Sequence, residues 1–239
     1  MSAPADRTRK DGNNMKLLFL GTGALDWPRE RGTLTDFRRN ASALLDGQLL
    51  IDPGPGVLAA IEEFGVNADE IRYIVNTHRH PDHYCEETAA FLTAKGARFL
   101  DLKAGETVQA GDYHIQVLEA NHGTCKEAVH FLISDGKSNL FYGLDGAWLL
   151  YEEVQAIIKN KVDFAVLDAT VGRAEGDYRI FEHNNLRMVE EIKLTLAPYV
   201  KRFCISHMAW TLHPDHETLA KDMERSGIEV AYDGLTVEF

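Results

Sequence analysis

The chain has 239 residues, 45% of them hydrophobic, and a formal net charge of −12. Such a composition supports a globular protein with a sizeable core, and no apolar run approaches the roughly 20 residues of a membrane span. The acidic balance disfavours nucleic acid as a partner, because Lys and Arg contacts to phosphates supply most of that affinity. It still admits a small phosphorylated substrate, whose charge bound metal ions can meet.

Residues 1–14 are polar, with Arg7, Arg9 and Lys10, and lack the apolar centre of a signal peptide. They read as a disordered tail, excluded from the fold. Lys16 to Leu20 is a short strand that ends in the tight turn Gly21-Thr22-Gly23. Residues 24–40 are charged and irregular and read as a loop near a site. Ala43 to Ile51 carries a hairpin signature with Asp46-Gly47 as its turn. Asp52-Pro53-Gly54-Pro55-Gly56 breaks that strand and starts a helix through about Phe64. Ile71 to Asn76 is apolar and β-branched, a buried strand. Helices follow over Glu86 to Lys95, Trp148 to Lys159, Leu186 to Leu196 and Glu217 to Arg225. Strands are expected over Tyr113 to Glu119, Val129 to Ser134, Asn139 to Tyr142, Phe164 to Leu167, Phe203 to Ser206, and around the last turn, Asp233-Gly234. With no linker, repeat or low-complexity tract, 15–239 reads as one α/β domain. Cys85, Cys125 and Cys204 are scattered and form no Cys-x-x-Cys pair. They fit reduced thiols of a cytoplasmic protein.

His78-Arg79-His80-Pro81-Asp82-His83 carries most of the functional signal. It packs three imidazoles and a carboxylate directly after a buried strand, which Pro81 bars from continuing. The ligand-type residues therefore sit on a loop that a rigid scaffold can aim into a cleft. In extended chain His78 and His80 point the same way and can grip one ion, while the turn after Pro81 can swing Asp82 and His83 toward a second. Three further strands stop at a ligand-type residue: His122, Asp145 and His207. Alone, each reads as well as a satisfied polar residue at a strand end. Together with the first motif they form one ordered set that suits two ions with room for solvent. Imidazole and carboxylate without thiolate suit Zn²⁺, Mn²⁺ or Fe. Two such ions about 3.5–4 Å apart can share a hydroxide nucleophile and stabilise both the attacking and leaving oxygens of a phosphoester. Asp168 ends a buried strand and is expected to orient a ligand histidine from behind. Asp52 has the same expected role, or stabilises its Pro-Gly turn.

The order of these residues, with Phe19-Leu20-Gly21-Thr22-Gly23 and Ile51-Asp52-Pro53-Gly54, resembles the metallo-β-lactamase superfamily of hydrolases over nearly the whole chain. The resemblance implies a four-layer αββα sandwich with a binuclear site at one edge of the sheets. It implies that His78, His80 and His122 hold one ion, that Asp82, His83 and His207 hold the other, and that Asp145 bridges them. In place of the family's usual glycine three residues after the last histidine of the first motif stands Glu86, which questions only the local helix start. Gly21-Thr22-Gly23-Ala24, Asn121-His122, Val166-Leu167-Asp168, Glu182-His183-Asn184-Asn185-Leu186, Ile205-Ser206-His207 and Ala231-Tyr232-Asp233-Gly234-Leu235 are similar to the phosphoribosyl cyclic phosphodiesterases of the carbon–phosphorus lyase pathway of phosphonate degradation. That likeness implies a substrate-side role for His183, as phosphate ligand or as proton donor to the leaving alkoxide. By its local sequence alone His183 would be a surface histidine before a helix. That family's cysteine cluster for structural zinc has no counterpart in Leu25 to Glu30.

The expectation is thus a binuclear hydrolase with Asp82 and His183 as catalytic residues, two divalent ions, and a small cyclic or nucleotide-like phosphodiester as substrate. A homodimer is left open. The alternatives are an RNA-processing nuclease of the tRNase Z type, a thioester or lactone hydrolase, and a non-catalytic metal-binding module. His213-Pro214-Asp215-His216 repeats part of the first motif, but no strand directly precedes it. Asp215 reads as a helix cap and both histidines as surface residues.

Overall fold

The computed structural model describes residues 14–239. The expected disordered tail, 1–14, lies outside the described residues apart from Asn14. Two mixed sheets face each other. The first is ordered β13 (Thr236–Glu238), β1 (Lys16–Gly21), β2 (Ser42–Leu45), β3 (Leu49–Ile51), β4 (Tyr73–Val75), β5 (Arg98–Phe99). The second is ordered β12 (Glu229–Val230), β11 (Val200–Ser206), β10 (Val162–Asp168), β9 (Asn139–Gly143), β8 (Val129–Ser134), β7 (Tyr113–Glu119), β6 (Thr107–Ala110).

Period-two alternation builds the layers. Leu17 and Phe19 of β1, Leu49 and Ile51 of β3, Phe131 and Ile133 of β8, and Phe164 and Val166 of β10 meet in the core between the sheets. Leu20, Leu44, Leu50 and Ile74 face the other way, onto α1 (Val57–Glu63) and α2 (Glu86–Ala94). Leu132, Phe141, Leu167 and Ile205 face out of the second sheet onto α3 (Tyr151–Asn160), α4 (Leu186–Leu196) and α5 (His216–Glu224). The result is the four-layer αββα sandwich that the resemblance implied. Among the described residues no helix is long and apolar enough to cross a membrane.

Strand direction gathers the functional residues. β3 and β4 are parallel, as are β9, β10 and β11, and β7 is antiparallel to β8, which is antiparallel to β9. The C-terminal ends of β7, β9, β10 and β11 therefore lie at one edge, where ligands bind in open α/β sheets. Main-chain bonds join the sheets there: Val129 N donates to Thr77 O, and Met208 N to Thr22 O.

Several expectations are corrected. β4 ends at Val75, well before Pro81, so the histidine loop is longer than foreseen. The helix expected from Trp148 begins at Tyr151, because Asp145 and Trp148 take positive φ of 59° and 50° and fold the preceding residues into a turn. β5, β6 and the short 3₁₀ turns Ala68–Glu70 and Tyr178–Phe181 carry little periodicity and were not foreseen. Glu86 is the first residue of α2, so the missing glycine does not displace that helix. Asp215 does cap α5, accepting from Thr218 N. His213, however, is not a free surface residue: its Nε2 lies 2.7 Å from Ala169 O. His216 is half-buried against Arg38 and Tyr232.

Candidate metal centre

His78 and His80 share one side of the extended loop, their ring centroids 4.4 Å apart. A tight turn follows, in which His83 N and Tyr84 N both donate to His80 O. It brings Asp82 and His83 round into the same cleft. From the second sheet, His122 follows β7, Asp145 follows β9 and His207 follows β11. Asp52, Asp145 and His207 all take positive φ, between 59° and 61°. Non-glycine residues held there concentrate at functional sites.

Two groups result, and they share one carboxylate. The first is His78, His80, His122 and Asp145, the second Asp82, His83, His207 and Asp145. Asp145 Oδ2 faces His78 Nε2 at 3.4 Å and His122 Nε2 at 3.9 Å. Its Oδ1 faces His83 Nε2 at 3.2 Å and His207 Nε2 at 3.0 Å. Asp82 Oδ2 lies 3.4 Å from His207 Nε2 and 3.5 Å from His83 Nε2.

The remaining nitrogens fix the tautomers. His83 Nδ1 lies 2.8 Å from Asp52 Oδ2, so it carries the hydrogen and its Nε2 turns a lone pair inward. Asp52 also accepts from Thr77 N, Thr77 Oγ1 and Asn76 Nδ2. His207 Nδ1 lies 2.7 Å from Thr170 Oγ1 and 3.3 Å from Asp168 Oδ2. His122 Nδ1 is 3.3 Å from Glu182 O, and His78 Nδ1 is 3.1 Å from Thr77 Oγ1. Lone pairs of imidazoles thus converge on lone pairs of carboxylates, an arrangement that demands a cation or a proton among them. His78 Nε2 and Asp145 Oδ1 are buried with no hydrogen-bond partner, which buried polar atoms rarely tolerate. The nitrogen-and-oxygen donor set therefore fits divalent metal ions.

Electrostatics agree with this crowding. Burial opposes the charge on Asp145, but His207 and His83 outweigh it and hold the carboxyl well below its usual range. Asp82 is lowered too, its burial outweighed mainly by His83 and His207. Burial, then neighbouring His83, pushes His78 down to about 2, so it faces the cleft as a neutral imidazole.

Asp168 and His183 lie behind and beside the second group. Asp168 accepts from Asp145 N, Thr170 N and Asn184 N. Its Oδ2 is 3.0 Å from His183 Nδ1. The His183 ring lies 5.2 Å from that of His122 and 5.5 Å from that of His207, centroid to centroid. The ring therefore lies beside both ligand groups and is not the free surface histidine that local sequence suggested. The sequence reading missed Thr77 and Thr170, whose hydroxyls back four of the ring nitrogens, and Glu182, whose carbonyl backs His122. Their only signal was position: Thr77 immediately precedes His78, Thr170 follows Asp168 by two residues, and Glu182 precedes His183.

The chain has the metallo-β-lactamase fold. The family model described as the metallo-β-lactamase superfamily matches residues 37–86, which span β2 through the first histidine motif. No curated protein matches the chain at a significant level. Among solved structures, a metallo-β-lactamase fold protein, YhfI from Bacillus subtilis, is 16% identical with a TM-score of 0.73, over 95% of this chain and 100% of that one. A diphosphatase of the PhnP family is 20% identical with a TM-score of 0.73, over 94% and 98%. The short form of human tRNase Z is 14% identical with a TM-score of 0.68, over 93% and 98%.

Proposed function

We propose that the chain is a binuclear metal-dependent hydrolase, a phosphodiesterase that cleaves a small cyclic or nucleotide-like phosphodiester. The observation that carries this reading is the split of Asp145, one oxygen to each imidazole group. His78, His80 and His122 would hold one divalent ion and Asp82, His83 and His207 the other, with Asp145 between them. Bound there, two such ions supply Lewis-acid activation of water and neutralise charge on a phosphoester. The chain's own residues do the rest. Asp82, at the inner wall, accepts a hydrogen from the attacking water and sets its direction. His183 gives the leaving alkoxide a proton from Nε2 while Asp168 holds its Nδ1.

Choice of substrate follows from what surrounds the ligands. Trp148, Phe181 and Trp210 are exposed and lie within three residues of Asp145, His183 and His207 respectively. Exposed aromatic rings so near these residues in sequence support a substrate with a flat ring, such as a nucleobase. The net charge of −12 speaks against a long polyanion. The similarity to the PhnP-family diphosphatase supports phosphoester chemistry.

Purified protein loaded with Mn²⁺ should hydrolyse bis(p-nitrophenyl) phosphate, and His80→Ala should abolish this without unfolding the chain. A wild-type protein inert toward phosphodiesters but active on thioesters or lactones would refute the assignment. Tight binding of transfer RNA at low salt would favour the nuclease instead.

A further inference from the structure

Outside the ligand set, a buried ionisable pair closes on the loop that carries Asp145. His130 of β8 and Glu153 of α3 are 1% and 0% exposed. His130 Nδ1 lies 2.5 Å from Glu153 Oε1, and its Nε2 lies 3.0 Å from Leu144 O. Both neighbours are acceptors, so the ring carries a hydrogen on each nitrogen and is paired, as a cation, with the carboxylate. Glu153 spends its second oxygen on Leu150 N, at 2.7 Å. The pair therefore grips both ends of the 144–150 loop, Leu144 by its carbonyl and Leu150 by its amide. Between those grips sit the two positive-φ residues, Asp145 and Trp148. Gly146 passes so close to the ring that a Cβ there would stand 2.6 Å from His130 Cε1.

A buried ion pair is a poor way to stabilise a core. Apolar residues of similar volume often serve as well or better. What charge and two directed hydrogen bonds add is a fixed orientation. We infer that His130 and Glu153 are positioning residues that hold the Asp145 turn so that each carboxylate oxygen meets its own imidazole group, and so set the affinity of the centre for divalent ions. The inference rests on the binuclear reading above. Because Asp145 faces both groups, displacement of its turn weakens both ions together, whereas loss of a residue behind one imidazole weakens one.

Metal titration tests this, with Mn²⁺ and a competing chelator, below the unfolding temperature of each protein. Glu153→Gln keeps the size of the side chain and removes the charge. It should weaken both ions by about 10–100-fold, the usual cost of losing a partner outside the ligand set. Leu196→Ala, in the same apolar layer but remote from the loop, should lower Tm and leave affinity at the wild-type value. His130→Phe combined with Glu153→Leu replaces the pair by apolar residues. That protein should fold and still bind both ions about 10–100-fold more weakly. Either pair variant binding two ions as wild type does would overturn the inference alone. A wild-type chain that takes up no divalent ion would overturn the binuclear reading, and this inference with it.

Discussion

The two ligand groups that share Asp145 are built differently. In the first, the imidazoles of His78 and His122 lean on a threonine hydroxyl and a main-chain carbonyl, and His80 is half-exposed at the mouth. In the second, His83 and His207 are buried; His83 leans on the Asp52 carboxylate, and His207 on the Thr170 hydroxyl with the Asp168 carboxylate behind it. The second group also contains Asp82, so it would concentrate more negative charge and more basic imidazoles around an ion. A group with one carboxylate and a half-exposed imidazole beside a fully buried group with two carboxylates suggests a division of labour. An ion in the second group would be held tightly, and one in the first would be the more exchangeable and the nearer to solvent.

The largest effect should come from the residue that the groups have in common. Asp145→Asn removes the charge between them. Both ions should be lost at micromolar metal, and activity should fall by about 10³-fold or more, since Lewis-acid stabilisation is worth several kcal/mol. Metal analysis of the purified variant checks this. Retention of both ions would mean that the groups are independent and the comparison is wrong.

His183→Ala tests the same geometry from the substrate side. Its ring stands between those of His122 and His207 but bonds to neither. Both ions should stay while kcat falls by about 10²–10⁴-fold for a substrate that leaves as an alkoxide. The loss should shrink for p-nitrophenolate, which scarcely needs a proton. Equal losses on both substrates would point to phosphate binding, and loss of metal would make His183 a ligand.

A smaller and more selective effect is expected at Asp52. Asp52→Asn weakens the hold on His83 Nδ1 directly and reaches the first group only at second hand, through Thr77, whose hydroxyl also backs His78. The second ion should weaken by about 10–100-fold and the first by less. In wild type a chelator should strip the first group's ion before the second's, and in Asp52→Asn this order should narrow or reverse. Simultaneous loss of the two ions in both proteins would erase the distinction between the groups.

How far the sequence foretold this arrangement depends on the kind of signal each residue carries. Strands with strong alternation, such as Tyr113–Glu119, appear where periodicity put them, and each ligand-type residue at a strand end is brought to the common edge by strand direction. The two-sided placement of Asp145 was not legible from residues alone, because it depends on a backbone turn that only the packed loop imposes. Thr170 and Thr77 were invisible for a related reason. A threonine has no periodic or motif signature, and its role exists only once the folded loop turns a histidine ring onto its hydroxyl. His130 and Glu153 looked like an ordinary strand residue and an ordinary helix residue, 23 positions apart. His213 was misread because its proximity to Ala169 arises across two loops that the sequence does not link.

The smallest effect should fall on His216, which closes the second copy of the histidine motif. It shares the spacing of a ligand but none of the setting. Its Nδ1 lies 3.1 Å from Arg38 Nη2, and its ring sits against Tyr232. Arg38 is buried and also donates to Thr22 Oγ1 and Ala231 O. His216→Ala therefore removes one acceptor of several and leaves the guanidinium satisfied elsewhere. The net cost of such a bond is about 1 kcal/mol. For a chain of this size that lowers Tm by roughly 2–4 °C. Metal content should equal that of wild type, and activity should stay within about twofold, because the variant leaves both ligand groups and their carboxylate supports intact. This makes it the baseline against which the Asp145 and Asp52 variants are read. Loss of an ion in His216→Ala would show that the centre extends to α5 and that the two groups around Asp145 are only part of it.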